Sequence, residues 1–277
     1  MSIDMTVHAV APQPDAEAEM DRRAAFCREI ARSAGAVALD GYRNRTPGFG
    51  MKGPQDFLTE TDAAVERHLK ARIAEAFPGD GFLGEETGGA IKPDTWVVDP
   101  IDGTANFARD IPHFCIAIAF VSNGEMEIGA IYNPVLDELY FARRGHGATR
   151  NGKPIAVAGT GDFDAACVEF GWSNRKSNAR YMEVLSNILE QGANVRRGAS
   201  GALGLAYVAD GRSDAYAELH MHPWDCLAGL LLVKEAGGVV APFLAVGGLT
   251  KGGAVLAAAP GVALGMSAAT GIALETR

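Results

Sequence analysis

Two Asn-Gly dipeptides, Asn123-Gly124 and Asn151-Gly152, constrain what this chain can fold into more than any other feature. Asn-Gly supplies both left-handed positions of a two-residue hairpin turn, so the segments on either side must run antiparallel. The flanks of the first turn are strand-length and apolar, Cys115–Ser122 and Glu127–Tyr132, and Leu139–Ala142 adds another strand before the second turn. Upstream, Thr95–Val98 reads as a strand that stops at Asp99-Pro100. The middle of the chain is therefore an antiparallel meander, not a run of βαβ units.

The flanking regions read differently. Met1–Pro14 has little apolar pattern and reads as a frayed tail. Phe26, Ile30, Ala34, Val37 and Ala38 recur at helical spacing in a helix from Ala16 to about Tyr42. Asn44–Pro54 reads as a mobile loop. Thr61 then caps a helix to about Phe77, with Val65, Leu69 and Ile73 inward and Glu66 and Lys70 outward. Beyond residue 150, strand and helix alternate. Ala166–Phe170, Ala215–Glu218 and Val255–Ala258 are the expected strands. Ala179–Gln191, Gly201–Ala209, Pro223–Ala236 and Val262–Thr270 are the expected helices, the third stopped by Gly237-Gly238. The expected organisation is a tail (1–15), an N-terminal α+β half (16–150) and a C-terminal α/β half (151–277).

A net charge of −9 argues against a nucleic-acid backbone as the main partner. The longest apolar stretches, such as Cys115–Val121, are too short to span a bilayer, and the first residues carry no secretory pattern. Cys27, Cys115, Cys167 and Cys226 form no Cys-x-x-Cys pair, so buried free thiols and a cytoplasmic setting are expected.

Four segments carry chemistry. In Asp99-Pro100-Ile101-Asp102-Gly103-Thr104, two carboxylates on a tight turn repel one another, and a hard divalent cation such as Mg²⁺ relieves this. The following amides of Gly103 and Thr104 open a helix, which favours an anion such as phosphate. An Asx turn with Asp99 capping a helix suits the same residues, and the segment alone leaves both readings open. Gly84-Glu85-Glu86-Thr87, just upstream, offers Glu85 as a third ligand or as solvated charge. Thr59 and Asp62 have capping-box spacing, and Asp62 equally suits a proton acceptor for a hydroxyl that orients water. Trp224-Asp225 sets an acid in the first turn of an apolar helix, as a cap or as part of a packed site. Elsewhere, His220 and His222 read as pointing to opposite sides of a strand, hence as packing groups and not a zinc pair. Arg196-Arg197 reads as a solvated pair, with an anionic substrate or a partner chain as the alternative.

Taken in order and spacing, these segments resemble the inositol monophosphatase family: Thr-x-x-Asp, Gly-Glu-Glu, Asp-Pro-Ile-Asp-Gly-Thr and Trp-Asp-x-x-x-Gly, over about residues 16–275. The resemblance implies the layered α/β/α/β/α sugar-phosphatase fold and Mg²⁺-dependent hydrolysis of a small phosphorylated polyol, inositol-1-phosphate first. It implies that Glu85, Asp99, the carbonyl of Ile101, Asp102 and Asp225 ligate two or three Mg²⁺ ions. Thr104, oriented by Asp62 and helped by Glu85, would activate water. The amides of Gly103 and Thr104 would hold phosphate, with Lys52 nearby. Glu218 and the Ser200-Gly201 pair would meet the alcohol, although the family's pattern at the latter place is Thr-Ala. Lithium sensitivity, a homodimer and, as in some bacterial relatives, contact with RNA polymerase are further implications. Histidinol phosphate, adenosine 3′,5′-bisphosphate or a dinucleotide phosphate are the alternative substrates.

Overall fold

The structure, a computed structural model, describes residues 14–44, 50–53 and 56–275. The expected tail lies outside the described residues up to residue 13, and the first helix, α1, spans Pro14–Asn44. Where a loop was expected, β1 (Gly50–Gly53) pairs antiparallel with β2 (Asp56–Leu58). Glycine made this stretch look irregular, yet Gly50 and Gly53 both belong to the paired strand. Helix α2 spans Glu60–Ala76 and is capped by Thr59, not Thr61: Thr59 and Asp62 form a reciprocal capping box.

An eight-stranded sheet follows, built from β3 (Gly81–Gly84), β4 (Gly88–Ala90), β5 (Asp94–Asp102), β6 (Cys115–Ser122), β7 (Glu125–Asn133), β8 (Glu138–Arg143), β9 (Ala148–Arg150) and β10 (Lys153–Pro154). Its spatial order is β10-β9-β8-β7-β6-β5-β3-β4. All its neighbours are antiparallel except β3 and β5. Both Asn-Gly turns are as expected. Asn123 and Gly124 have φ of 50° and 84°, Asn151 and Gly152 of 49° and 75°, the twist that joins two antiparallel strands without splaying them. A short helix, α3 (Thr104–Ala108), leaves the end of β5.

The second sheet has five strands, β11 (Cys167–Phe170), β12 (Asn194–Arg196), β13 (Ala215–Met221), β14 (Val239–Val240) and β15 (Gly253–Ala258), in the order β12-β11-β13-β15-β14. Strands β12 and β13 run parallel to β11, while β15 is antiparallel to its neighbours. Helices α4 (Asn178–Glu190), α5 (Gly201–Ala209), α6 (Pro223–Glu235), α7 (Gly248–Lys251) and α8 (Pro260–Thr270) complete the chain.

The layering follows from which faces are apolar. Helices α1 and α2 cover one face of the eight-stranded sheet, and α5 and α6 lie between the two sheets. Helices α4 and α8 cover the far side of the second sheet, giving the expected α/β/α/β/α stack. Every residue of α5 from Ala202 to Ala209 is buried, and so are the consecutive residues Cys226–Val233 of α6. A helix that is apolar all round belongs between layers, not on a surface. Strand β6 is likewise apolar on both faces because helices cover both. Contact between α6 and β7 is close enough that a Cβ on Gly129 would meet the Ala228 carbonyl oxygen at 2.7 Å.

All four cysteines are free; Cys27, Cys115 and Cys226 are buried and Cys167 is half-buried. Among the described residues, no helix is long and apolar enough to cross a membrane.

Candidate active site

The expected end of β5 at Asp99 is not its end. The strand continues to Asp102 through an irregularity: Asp99 lies opposite Ala117 and Asp102 opposite Cys115, so three steps on β5 face two on β6. This extra residue is a β-bulge, which changes the direction of every later side chain. Val97 packs with the α5–α6 layer, whereas Trp96, Val98 and Ile101 pack with the α1–α2 layer. With regular alternation Ile101 would join Val97 and Asp102 would turn away from it. The bulge sends Ile101 to the other core and returns Asp102 to the side of Asp99.

Asp99 and Asp102 meet Asp225, from the first turn of α6, with carboxylate oxygens all within 4.8 Å of one another. Asp99 Oδ1 accepts the Ile101 amide at 2.9 Å, and Asp225 Oδ2 accepts the His222 amide at 3.0 Å. Burial, and then the carboxylates of Glu85 and Asp102, push the acids of Asp99 and Asp225 well above the usual carboxylate range. Glu85 thus stands beside both. It follows β3, and its loop hangs on Glu66, whose carboxylate accepts the amides of Glu86 at 2.8 Å and Thr87 at 2.9 Å. Glu66 therefore faces inward and is only 1% exposed, against the outward position expected for it. Its charge is solvated by main chain instead of water. Gly84 has to be glycine here, since a Cβ would collide with that carboxylate.

Asp62 is fully buried. Its Oδ2 accepts the Thr59 amide at 2.9 Å and the Thr59 hydroxyl at 2.5 Å. The Thr104 hydroxyl lies 3.3 Å from Asp62 Oδ1 and 2.9 Å from the Ile101 carbonyl, so its single proton is shared between them. Burial pushes the Asp62 carboxyl up to about 6, against the Thr59 hydrogen bonds that pull it down. Gly103, at the entry of α3, has φ 97°, a conformation costly for any side chain. A Cβ there would also meet the His113 carbonyl oxygen at 3.0 Å.

Beside these groups lies a cavity of about 700 Å³ lined by Glu85, Asp102, Gly103, Thr104, Ser200, Gly201, Glu218 and Asp225, among others. Glu218 accepts the Tyr216 hydroxyl at 2.6 Å, and burial raises its carboxyl to about 7. The side chain of Lys52, on β1, lies outside the described residues.

A sequence profile of the inositol monophosphatase family matches residues 19–270. The chain belongs to this family. It is 41% identical to the inositol-1-monophosphatase of Mesorhizobium japonicum over 195 residues, covering 69% of this chain and 73% of the relative. It is 39% identical over 221 residues to the Nus factor SuhB of Xylella fastidiosa, covering 78% and 80%. The crystal structure of the extragenic suppressor protein suhB from Bartonella henselae superposes with a TM-score of 0.82 at 30% identity, covering 88% of this chain and 96% of that one.

Within this inositol monophosphatase fold, several cavity residues escape the motif reading. His220 and His222 both line the cavity, instead of facing apart. His220 lies on β13 and His222 is the residue before α6, so the pair spans a strand-to-helix corner and does not alternate across one strand. The His222 ring stacks on Trp224 at 4.6 Å and meets His220 edge-on at 5.6 Å. The arginine pair also divides: Arg196 binds the buried Glu169 at 2.9 Å, while Arg197 lines the cavity with Arg175, both acting on Glu218. Arg175 sits in a loop after β11 and has no motif around it; only the topology brings it here.

Proposed function

We propose that this chain is a Mg²⁺-dependent phosphomonoesterase whose first substrate is inositol-1-phosphate. The observation that carries this is the convergence of three carboxylates beside the Thr104–Asp62 pair. The donor set fits a hard cation. Three acids within 4.8 Å, each pushed upward by burial, are a stack of like charges that oxygen-seeking Mg²⁺ would neutralise. Glu85, Asp99, Asp102, Asp225 and the Ile101 carbonyl would hold the ions. Bound there, a divalent cation supplies Lewis-acid activation of water and neutralises charge developing on the leaving alcohol.

The protein's own groups handle the proton. Thr104 Oγ1 has its hydrogen committed toward Asp62 and Ile101, so its lone pairs remain for a water hydrogen. As that water attacks phosphorus, its proton passes to Thr104 Oγ1 while the threonine's own proton passes to Asp62 Oδ1. A carboxyl titrating at about 6 is free to accept at neutral pH. The Gly103 and Thr104 amides, with Lys52, would orient the phosphate, and Glu218 and Gly201 would take hydroxyls of the alcohol. The deciding measurement is turnover of inositol-1-phosphate, histidinol phosphate and adenosine 3′,5′-bisphosphate with Mg²⁺. Preference for either of the latter two overturns the substrate assignment. Asp225→Asn is expected to reduce hydrolysis to background with an unchanged far-UV spectrum; turnover near wild type would remove the ligand assignment.

A second reading rests on the relatives named Nus factor SuhB. In it the chain also contacts RNA polymerase, independently of hydrolysis. Capture of polymerase by Asp102→Asn as well as by the wild type supports it; capture by neither removes it.

A further inference from the structure

The family resemblance gives Ser200 to the substrate. The structure gives its hydroxyl another occupation. Ser200 is the residue before α5, in the place where a serine ordinarily caps its own helix, but its side chain makes no such bond. The acceptor at this helix end is Asp102, from 98 residues earlier. Its Oδ2 accepts the Ser200 hydroxyl at 2.5 Å and the Ala202 amide at 2.8 Å, with the Cys115 thiol at 3.7 Å. Among the described residues, its Oδ1 has only the Gly201 amide, at 3.3 Å. A carboxylate oxygen offers two acceptor positions, so Oδ2 is filled and Oδ1 is what remains. Ser200 itself is 4% exposed although it borders the cavity.

We propose that Ser200 is a positioning residue: its hydroxyl and the first amides of α5 lock the Asp102 carboxylate so that Oδ1 is the oxygen offered to the divalent cation. This rests on the reading of Asp102 as a Mg²⁺ ligand. Groups that orient a ligand typically cost 10–100-fold in metal affinity when removed. A substrate contact would instead leave metal affinity alone and raise the KM of the ester.

Calorimetric titration of Mg²⁺ into substrate-free wild type, Ser200→Ala, Ser200→Cys and Ser200→Thr separates the two. Loss of the hydroxyl in Ser200→Ala is expected to raise the Mg²⁺ Kd about tenfold. Ser200→Cys, close in size and a weaker donor, should fall between, and Ser200→Thr should restore most of the affinity. At saturating Mg²⁺ the KM for inositol-1-phosphate should move little in any of them. Unchanged Mg²⁺ affinity in both Ser200→Ala and Ser200→Cys, with a raised ester KM, overturns the proposal and returns Ser200 to the substrate. Absence of Mg²⁺ binding by the wild type removes the metal reading itself, and the proposal with it.

Discussion

At the scale of single residues, the site is organised by how each carboxylate is solvated. Asp99 and Asp225 each accept one backbone amide, whereas Asp62 is surrounded by donors from Thr59 and faces one hydroxyl. That difference predicts a pH profile. Burial holds the Asp62 carboxyl at about 6, so it is ionised and able to accept a proton above that value and neutral below it. The expected kcat/KM at saturating Mg²⁺ therefore falls as pH drops through about 6, and Asp62→Asn should be slow at every pH and lack this acid limb. An acid limb that persists unchanged in Asp62→Asn would assign it elsewhere. Glu218 predicts a stability profile. Its carboxyl rises from 4.5 to about 7 on folding, so the folded chain binds the extra proton between those values. Stability from this group is complete below 4.5 and lost as pH rises through about 7. Glu218→Gln should thus gain thermal stability relative to wild type between pH 5 and 8, by on the order of 3 kcal/mol at the alkaline end. A difference that does not vary with pH would contradict this.

At the scale of elements, the site depends on one loop and one helix end held from a distance. Glu66, on α2, carries the loop that presents Glu85. Glu66→Ala leaves two amides without their acceptor, and an expected loss of roughly 1–3 kcal/mol should appear in urea denaturation. Mg²⁺ affinity should fall with it, and unaltered affinity would mean that the loop holds itself. This residue also shows where sequence reading stops. A glutamate at the polar edge of a helix looks solvated, and nothing local reveals that its partners are main-chain amides some twenty residues on. The hairpins were legible because Asn-Gly has few other uses. Helices α5 and α6 were legible because their limits are written in Gly201, Pro223 and Gly237. Strands of two or three residues, such as β4, β10, β12 and β14, are too short for a period to register, and only pairing defines them. The ligand set was legible as motifs, but that Asp102 would be held by α5 was not, since the partners lie far apart in the chain.

At the scale of the molecule, the two sheets share their middle layer. Helix α6 packs on β5, β6, β7 and β8 while also touching β14 and β15. We accordingly expect the segments 14–150 and 151–275, expressed separately, to fail to fold, because each bares an apolar face that the other covers. The intact chain should melt in a single transition by calorimetry; two resolved transitions would show that the halves stand alone. The shared layer supplies Asp225 to the centre and β5 supplies Asp99 and Asp102, and the β5 contribution depends on one surplus residue. An extended ribbon sorts its members by odd and even position, and Asp99 and Asp102 have opposite parity. Only a miscount relative to the neighbouring strand puts them together. The centre is therefore sensitive to register as well as to composition: straightening the bulge while keeping all three steps between these aspartates would keep every acid in the chain and still turn Asp102 away from Asp99.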